Sequence, residues 1–244
     1  MSDTDLVLFG EENGVGFITL NSPKNLNCIN IEMISSIHSK MQFWEKDPKI
    51  KCLLMDSISE KAFCAGGDVV TLYKELKTDR SYGEKFFTLE YALDLYIHQY
   101  SKPIICLAKG IVMGGGIGIM NGCSFRVIDE TTKMAMPEIT IGLFPDVGGT
   151  HFLNKMPGKI GLFLGLTGTR FIGADILYTK MADYIINSLF FPKIKESVST
   201  VAWSESNQEN YNIIRQILDS GPNAIISTPL LQSKQSLIDE LCDF

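Results

Sequence analysis

The stretch Pro103-Ile104-Ile105-Cys106-Leu107-Ala108-Lys109-Gly110-Ile111-Val112-Met113-Gly114-Gly115-Gly116-Ile117-Gly118 starts as a continuous apolar run and ends in a glycine cluster that opens a helix reaching about Asn121. A run apolar on both faces reads as a strand buried inside an α/β sheet, and the helix after it as the next element of such a sheet. Each glycine in a helix costs about 1 kcal/mol relative to alanine, so a run of them needs a reason. One reason is close packing of helix on strand. The other is access of a ligand atom to backbone N–H groups at a helix start, where the dipole favours negative charge. A similar passage occurs earlier: Cys52-Leu53-Leu54-Met55 reads as a strand, Phe63-Cys64-Ala65-Gly66-Gly67-Asp68 as a glycine-containing loop, and a helix runs from about Val70 to Leu76. For either cluster alone packing is the simpler explanation. Together they can supply the paired donors of an oxyanion hole.

Outward from these passages the pattern continues. Val15-Gly16-Phe17-Ile18-Thr19-Leu20 reads as a strand closed by Asn21-Ser22-Pro23. Residues 30–46 carry Met33, Ile34, Ile37, Met41 and Trp44 at helical spacing, with Asp47-Pro48 as the stop. A further helix is expected over roughly 82–99, and strands at Phe125–Ile128 and Lys133–Met136. From about residue 158 the pattern turns helical. The expected fold class is α/β, with a core over residues 1–190 and a helical region over 191–244 that gives an amphipathic helix or two; the stretch 190–210 has no pattern that places it.

The 244 residues suffice for one large core. A net charge of −6 argues against a nucleic-acid partner, though a few local cations would serve a phosphorylated small molecule. No apolar run approaches the roughly 20 residues that span a bilayer, so no membrane partner is expected. The acidic start Met1-Ser2-Asp3-Thr4-Asp5 is unlike a signal or transit peptide. Six cysteines without a Cys-x-x-Cys pair, mostly in apolar runs, read as buried thiols of a reducing compartment. That is the cytoplasm, or the mitochondrial matrix if a presequence has been removed. Gly-x-Ser-x-Gly is absent, Gly158-Lys159 is no P-loop, the glycines at 114–118 do not complete Gly-x-Gly-x-x-Gly, and the three histidines are scattered. No metal or redox cofactor is expected.

Three carboxyl groups sit in apolar settings. On the 82–99 helix Phe86, Glu90, Leu93 and Ile97 share one stripe, where a charge is costly unless partnered; alternatively Glu90 escapes at the edge of a mostly apolar helix. Glu138 follows Met134-Ala135-Met136-Pro137 at the carboxyl end of a strand, where α/β proteins bind ligands. Asp146 follows Gly142-Leu143-Phe144-Pro145; it either caps the helix near His151-Phe152-Leu153 or shares a site with Glu138. Two carboxyls in such surroundings can have raised or split pKa values suited to acid–base or nucleophilic work.

These segments resemble, in order, the signatures of the crotonase (enoyl-CoA hydratase/isomerase) superfamily: Ile18 to Lys24, Lys61 to Asp68, and Met113 to Gly116. Ala135-Met136-Pro137-Glu138, then Gly142 to Gly149, resembles its 3-hydroxyisobutyryl-CoA hydrolase branch, and Leu166-Thr167-Gly168-Thr169-Arg170 continues the match. The resemblance implies a spiral of ββα units and an oxyanion hole from the N–H groups of Gly67 and Gly115. It implies that Glu138 attacks a thioester carbonyl or activates water, that Asp146 exchanges protons with Glu138 and the leaving thiol, and that Glu90 faces the acyl end. The substrate would be an acyl-CoA, with CoA entering as part of it, and a homo-oligomer is compatible. Gly118 stands where hydratases carry the first of two glutamates, which turns the reading from hydration to hydrolysis. A one-glutamate hydratase or isomerase, or a silent acyl-CoA-binding homologue, are the alternatives. The hydrolases of the family run well beyond 244 residues.

Overall fold

The computed structural model describes residues 5–224, 226 and 228–243; the acidic residues 1–4 and Phe244 lie outside the described residues. The chain enters as an antiparallel hairpin, β1 (Val7–Glu12) and β2 (Val15–Leu20), turned at Asn13-Gly14 with Val7 opposite Leu20. Helix α1 (Ile31–Lys46) begins where the Asn30 side chain accepts from the Met33 N–H, and it buries Met33, Ile34, Ile37, Met41 and Trp44.

A repeated unit follows. Its first turn is β3 (Cys52–Ser57), β4 (Ala62–Cys64), α2 (Val69–Glu75) and α3 (Ser81–Gln99). The second is β5 (Ile104–Ala108), β6 (Ile111–Met113) and α4 (Gly115–Gly122). The third is β7 (Phe125–Ile128), β8 (Lys133–Ala135), α5 (Gly149–Leu153) and α6 (Ile160–Thr167). Then come β9 (Phe171–Ile172), α7 (Ala174–Tyr178) and β10 (Tyr184–Ile185), followed by α8 (Phe191–Thr200), α9 (Asn207–Asp219) and α10 (Leu230–Leu241). The first strand of each turn joins a large sheet of order β1-β2-β3-β5-β7-β10, and the second joins a small sheet of order β4-β6-β8-β9. From β2 onward the large sheet is parallel, and β4, β6 and β8 are parallel in the small one. This is the ββα spiral that the resemblance implies.

The continuous apolar runs are explained by burial on both faces. Leu53 and Met55 of β3 join a core with α1 and α3, while Cys52 and Leu54 point the other way, under Ile194 and Val198 of α8 and Ile214 and Leu218 of α9. Alternation along one strand thus feeds two cores. Helix α10 packs on α6 and α7, and the Asp175 carboxylate accepts from the Leu231 N–H at 2.7 Å. All six cysteines are free, with Cys28 half-buried and the rest buried.

Three expectations need correction. The loop read at Phe63–Asp68 begins as strand β4, and Ile111–Met113 is strand β6; three-residue strands are too short to show a period. The pattern after 158 is broken by β9 and β10, two residues each. The stretch 190–210 holds α8, and the last segment carries three helices where an amphipathic helix or two was read.

The glycines divide between the two reasons given for them. A methyl group on Gly116 would overlap the Cys64 carbonyl oxygen and lie 2.9 Å from Cys64 Cβ, so this glycine serves packing of α4 on β4. Gly116→Ala is therefore expected to destabilise the chain by about 1–3 kcal/mol, as overpacked cores do. An unchanged chemical-denaturation midpoint would contradict that packing.

Candidate active site

Strands β4 and β6 are parallel neighbours, so the turns that follow them emerge side by side. The first turn is pinned by Ile29 N–H to the Gly66 carbonyl (2.9 Å) and Asp68 N–H to the Ile29 carbonyl (2.8 Å). Gly66, at φ +106°, precedes Gly67; Gly114, at φ +48°, precedes Gly115. Only glycine takes these conformations readily, and each reorients the peptide carrying the next N–H. A methyl group on Gly66 would lie 3.7 Å from the Gly115 nitrogen, so the two turns are in contact. Gly115 is the first residue of α4, where a helical N–H has no partner in its own helix. Among the described residues, neither the Gly67 nor the Gly115 N–H donates to a protein acceptor.

Helix α3 lies across both turns. A methyl group on Gly67 would sit 3.8 Å from Glu90 Oε1, and one on Gly115 would overlap that same oxygen. Glu90 is only 3% exposed, so it does not escape at a helix edge. Glu138 arrives from β8, the next strand of the small sheet, at the start of a 3-10 turn over Glu138–Ile141. Its Oε1 would be 2.8 Å from a methyl group on Gly114, and its buried Oε2 has no hydrogen-bond partner among the described residues. Gly67, Gly115, Glu90 and Glu138 therefore meet in one place.

Asp146 accepts a hydrogen bond from the Tyr91 hydroxyl at 2.7 Å. It caps nothing: the residue at the start of α5 is Gly148, with no side-chain cap. Beside it Val147 has φ +43°, a strained backbone for a β-branched residue and the kind of strain that collects at functional sites.

Burial governs the electrostatics. Desolvation pushes Glu90 up to about 8, helped by the charges of Asp146 and Glu138. It pushes Glu138 up to about 7 against a backbone hydrogen bond, with Asp146 adding to the rise. Asp146 is raised by desolvation too, opposed by the Tyr91 hydrogen bond. Near neutral pH Glu138 is thus poised between its forms, as an acid–base group or nucleophile should be.

Sequence reading missed Tyr91, Val147 and Asp94. Asp94 lies four residues beyond Glu90 on α3, both its carboxyl oxygens are buried without a partner among the described residues, and its pKa is raised by desolvation and then by Glu90 and Asp146. The i, i+4 spacing from Glu90 is the signal that finds it.

The Enoyl-CoA hydratase/isomerase family model matches residues 15–244. The 3-hydroxyisobutyryl-CoA hydrolase, mitochondrial, of Xenopus tropicalis is 41% identical over 208 residues, 85% of this chain and 53% of that protein. The protein of the same name from Gallus gallus is 39% identical over 234 residues, 96% of this chain and 59% of that protein. The chain thus spans little more than half the length of these relatives. A solved structure of a carnitinyl-CoA dehydratase from Mycobacterium thermoresistibile superposes with a TM-score of 0.89 at 35% identity, over 99% of this chain and 67% of that one.

Proposed function

The chain belongs to the enoyl-CoA hydratase/isomerase family, and from that premise we propose that it hydrolyses a short 3-hydroxyacyl-CoA thioester, of the 3-hydroxyisobutyryl-CoA type met in valine degradation. The observation carrying this reading is the pair of unpartnered N–H groups, Gly67 and Gly115, on touching turns beside Glu138.

The thioester carbonyl oxygen takes both N–H groups, which stabilise the charge that develops when its carbon is attacked. Glu138 either attacks through its own oxygen, giving an anhydride that water then opens, or takes a proton from an attacking water. Collapse of the tetrahedral species breaks the C–S bond, and the leaving sulfur receives a proton by way of Asp146. Glu90 meets the hydroxyl of the acyl group, and CoA approaches along residues 63–69. The products are the free hydroxy acid and CoA, and no further cofactor takes part. The two curated relatives are named as mitochondrial, which favours the matrix over the cytoplasm for this chain as well. Among the described residues no helix is long and apolar enough to cross a membrane.

Incubation with 3-hydroxyisobutyryl-CoA and a thiol reagent tests the reading. Release of free CoA is expected; a change in enoyl absorbance without CoA release would replace hydrolysis by hydration or isomerisation. The pH dependence has a definite sign. Glu138 must be ionised to act, so kcat/KM rises with pH through about 7. A neutral Glu90 donates to the acyl hydroxyl, so kcat/KM falls as Glu90 ionises through about 8. A flat profile between pH 5 and 9 would remove both carboxyls from these roles.

A further inference from the structure

The carboxyl group of Asp94 is buried beside this site, and the mechanism above leaves it unused. Its Oδ2 would lie 2.8 Å from a methyl group on Gly118, and Val147 Cβ would lie 2.7 Å from that methyl. The Asp94 carboxyl thus occupies space that any side chain at 118 would claim. Among the described residues neither of its oxygens has a hydrogen-bond partner, although both are buried. Leaving such a group unpaired is costly. Asp94 is one helical turn beyond Glu90, about 6 Å along α3 at the usual rise. With Tyr91, Gly118, Asp146 and Val147 it lines a cavity of about 740 Å³ that reaches the site from the Asp146 side; Glu90, Glu138 and the two oxyanion glycines are not among its walls. That is the size of pockets holding drug-sized molecules, so space for a ligand is present.

We propose that Asp94 is a specificity-determining residue: with Glu90 it holds the hydroxyl of the acyl group, so that the site selects hydroxyacyl thioesters over the same thioesters lacking the hydroxyl. The proposal rests on the hydrolase reading for the placement of the acyl group. A hydroxyl both donates and accepts, so it can accept from a neutral Glu90 while it donates to or accepts from Asp94. A methyl group in its place leaves both carboxyls unpaired. A carboxylate there meets Glu90, Asp94 and Asp146 as like charges. Sites built to bond a substrate hydroxyl reject analogues lacking it far more strongly than apolar pockets reject a missing methylene.

Affinities for 3-hydroxyisobutyryl-CoA and isobutyryl-CoA, measured by calorimetry in a Glu138→Gln background that consumes neither, test the proposal. Adding Asp94→Ala is expected to cut the preference for the hydroxylated thioester by about 10- to 100-fold, as loss of a charge-assisted hydrogen bond does, with isobutyryl-CoA bound as before. Asp94→Asn, which keeps donors and an acceptor at the same place, is expected to restore part of the preference. Because Asp94→Ala removes an unpaired buried carboxyl, the melting temperature of the unliganded chain should rise by about 2–4 °C. An unchanged preference, equal losses for both thioesters together with a lower melting temperature, or no binding of either thioester would overturn the proposal. Failure of the parent chain to release CoA would instead count against the hydrolase reading, while the ratio of affinities would still report on Asp94.

Discussion

Glu138→Gln is expected to lower CoA release from 3-hydroxyisobutyryl-CoA at least 100-fold, and up to about 10⁴-fold, the range lost with a general base. The larger loss belongs to the case in which Glu138 itself attacks, since an amide oxygen is a poor nucleophile. Stability should hold. Glu138 is 6% exposed with an unpartnered Oε2, so the isosteric amide leaves the packing intact and removes a carboxyl that is costly to ionise there. Circular dichroism and the denaturation midpoint check that the fold survives, and stopped assays with a thiol reagent read the rate. Turnover at the parental rate by a folded variant would take Glu138 out of the mechanism.

Gly115→Ala should cost about as much by a different route. The added methyl falls on Glu90 Oε1, so either Glu90 or the incoming carbonyl must move. Loss of one oxyanion donor costs about 3–4 kcal/mol in the transition state, or 10²–10³ in kcat. The loss should appear in kcat more than in KM, because the donors act mainly on charge that develops during attack. Alanine also favours a helix over glycine by about 1 kcal/mol, so stability should fall far less than activity. Proportionate losses of stability and rate would assign Gly115 a packing role like that of Gly116.

Much of this site is legible in the amino-acid sequence. Glu90 stood out because a charge broke an apolar stripe, and its burial on α3 shows that the stripe was read on the correct face. The glycine clusters stood out because consecutive glycines oppose helix formation, and the sheet brings them together because β4 and β6 are neighbours. That adjacency was out of reach, since both strands are three residues long and depend on their partners rather than on a pattern of their own. Asp94 was passed over because Leu93, at i+3 from Glu90, already satisfied the stripe, although the i+4 spacing sets Asp94 on the same face of α3 as Glu90. Val147 was hidden because a positive φ at valine is imposed by tertiary structure against local preference. The C-terminal helices were underread because α8 takes its stability from the outer face of the large sheet, a surface that short-range periodicity does not reveal.

Isotope-edited infrared spectroscopy reports most directly on whether two amides from separate turns grip one carbonyl. 3-Hydroxyisobutyryl-CoA labelled with carbon-13 at the thioester carbon, bound to the Glu138→Gln chain, should show its carbonyl stretch at lower frequency than the same thioester in water, with Gly115→Ala reversing most of the shift. A bound thioester whose carbonyl absorbs at the solution frequency would contradict the account.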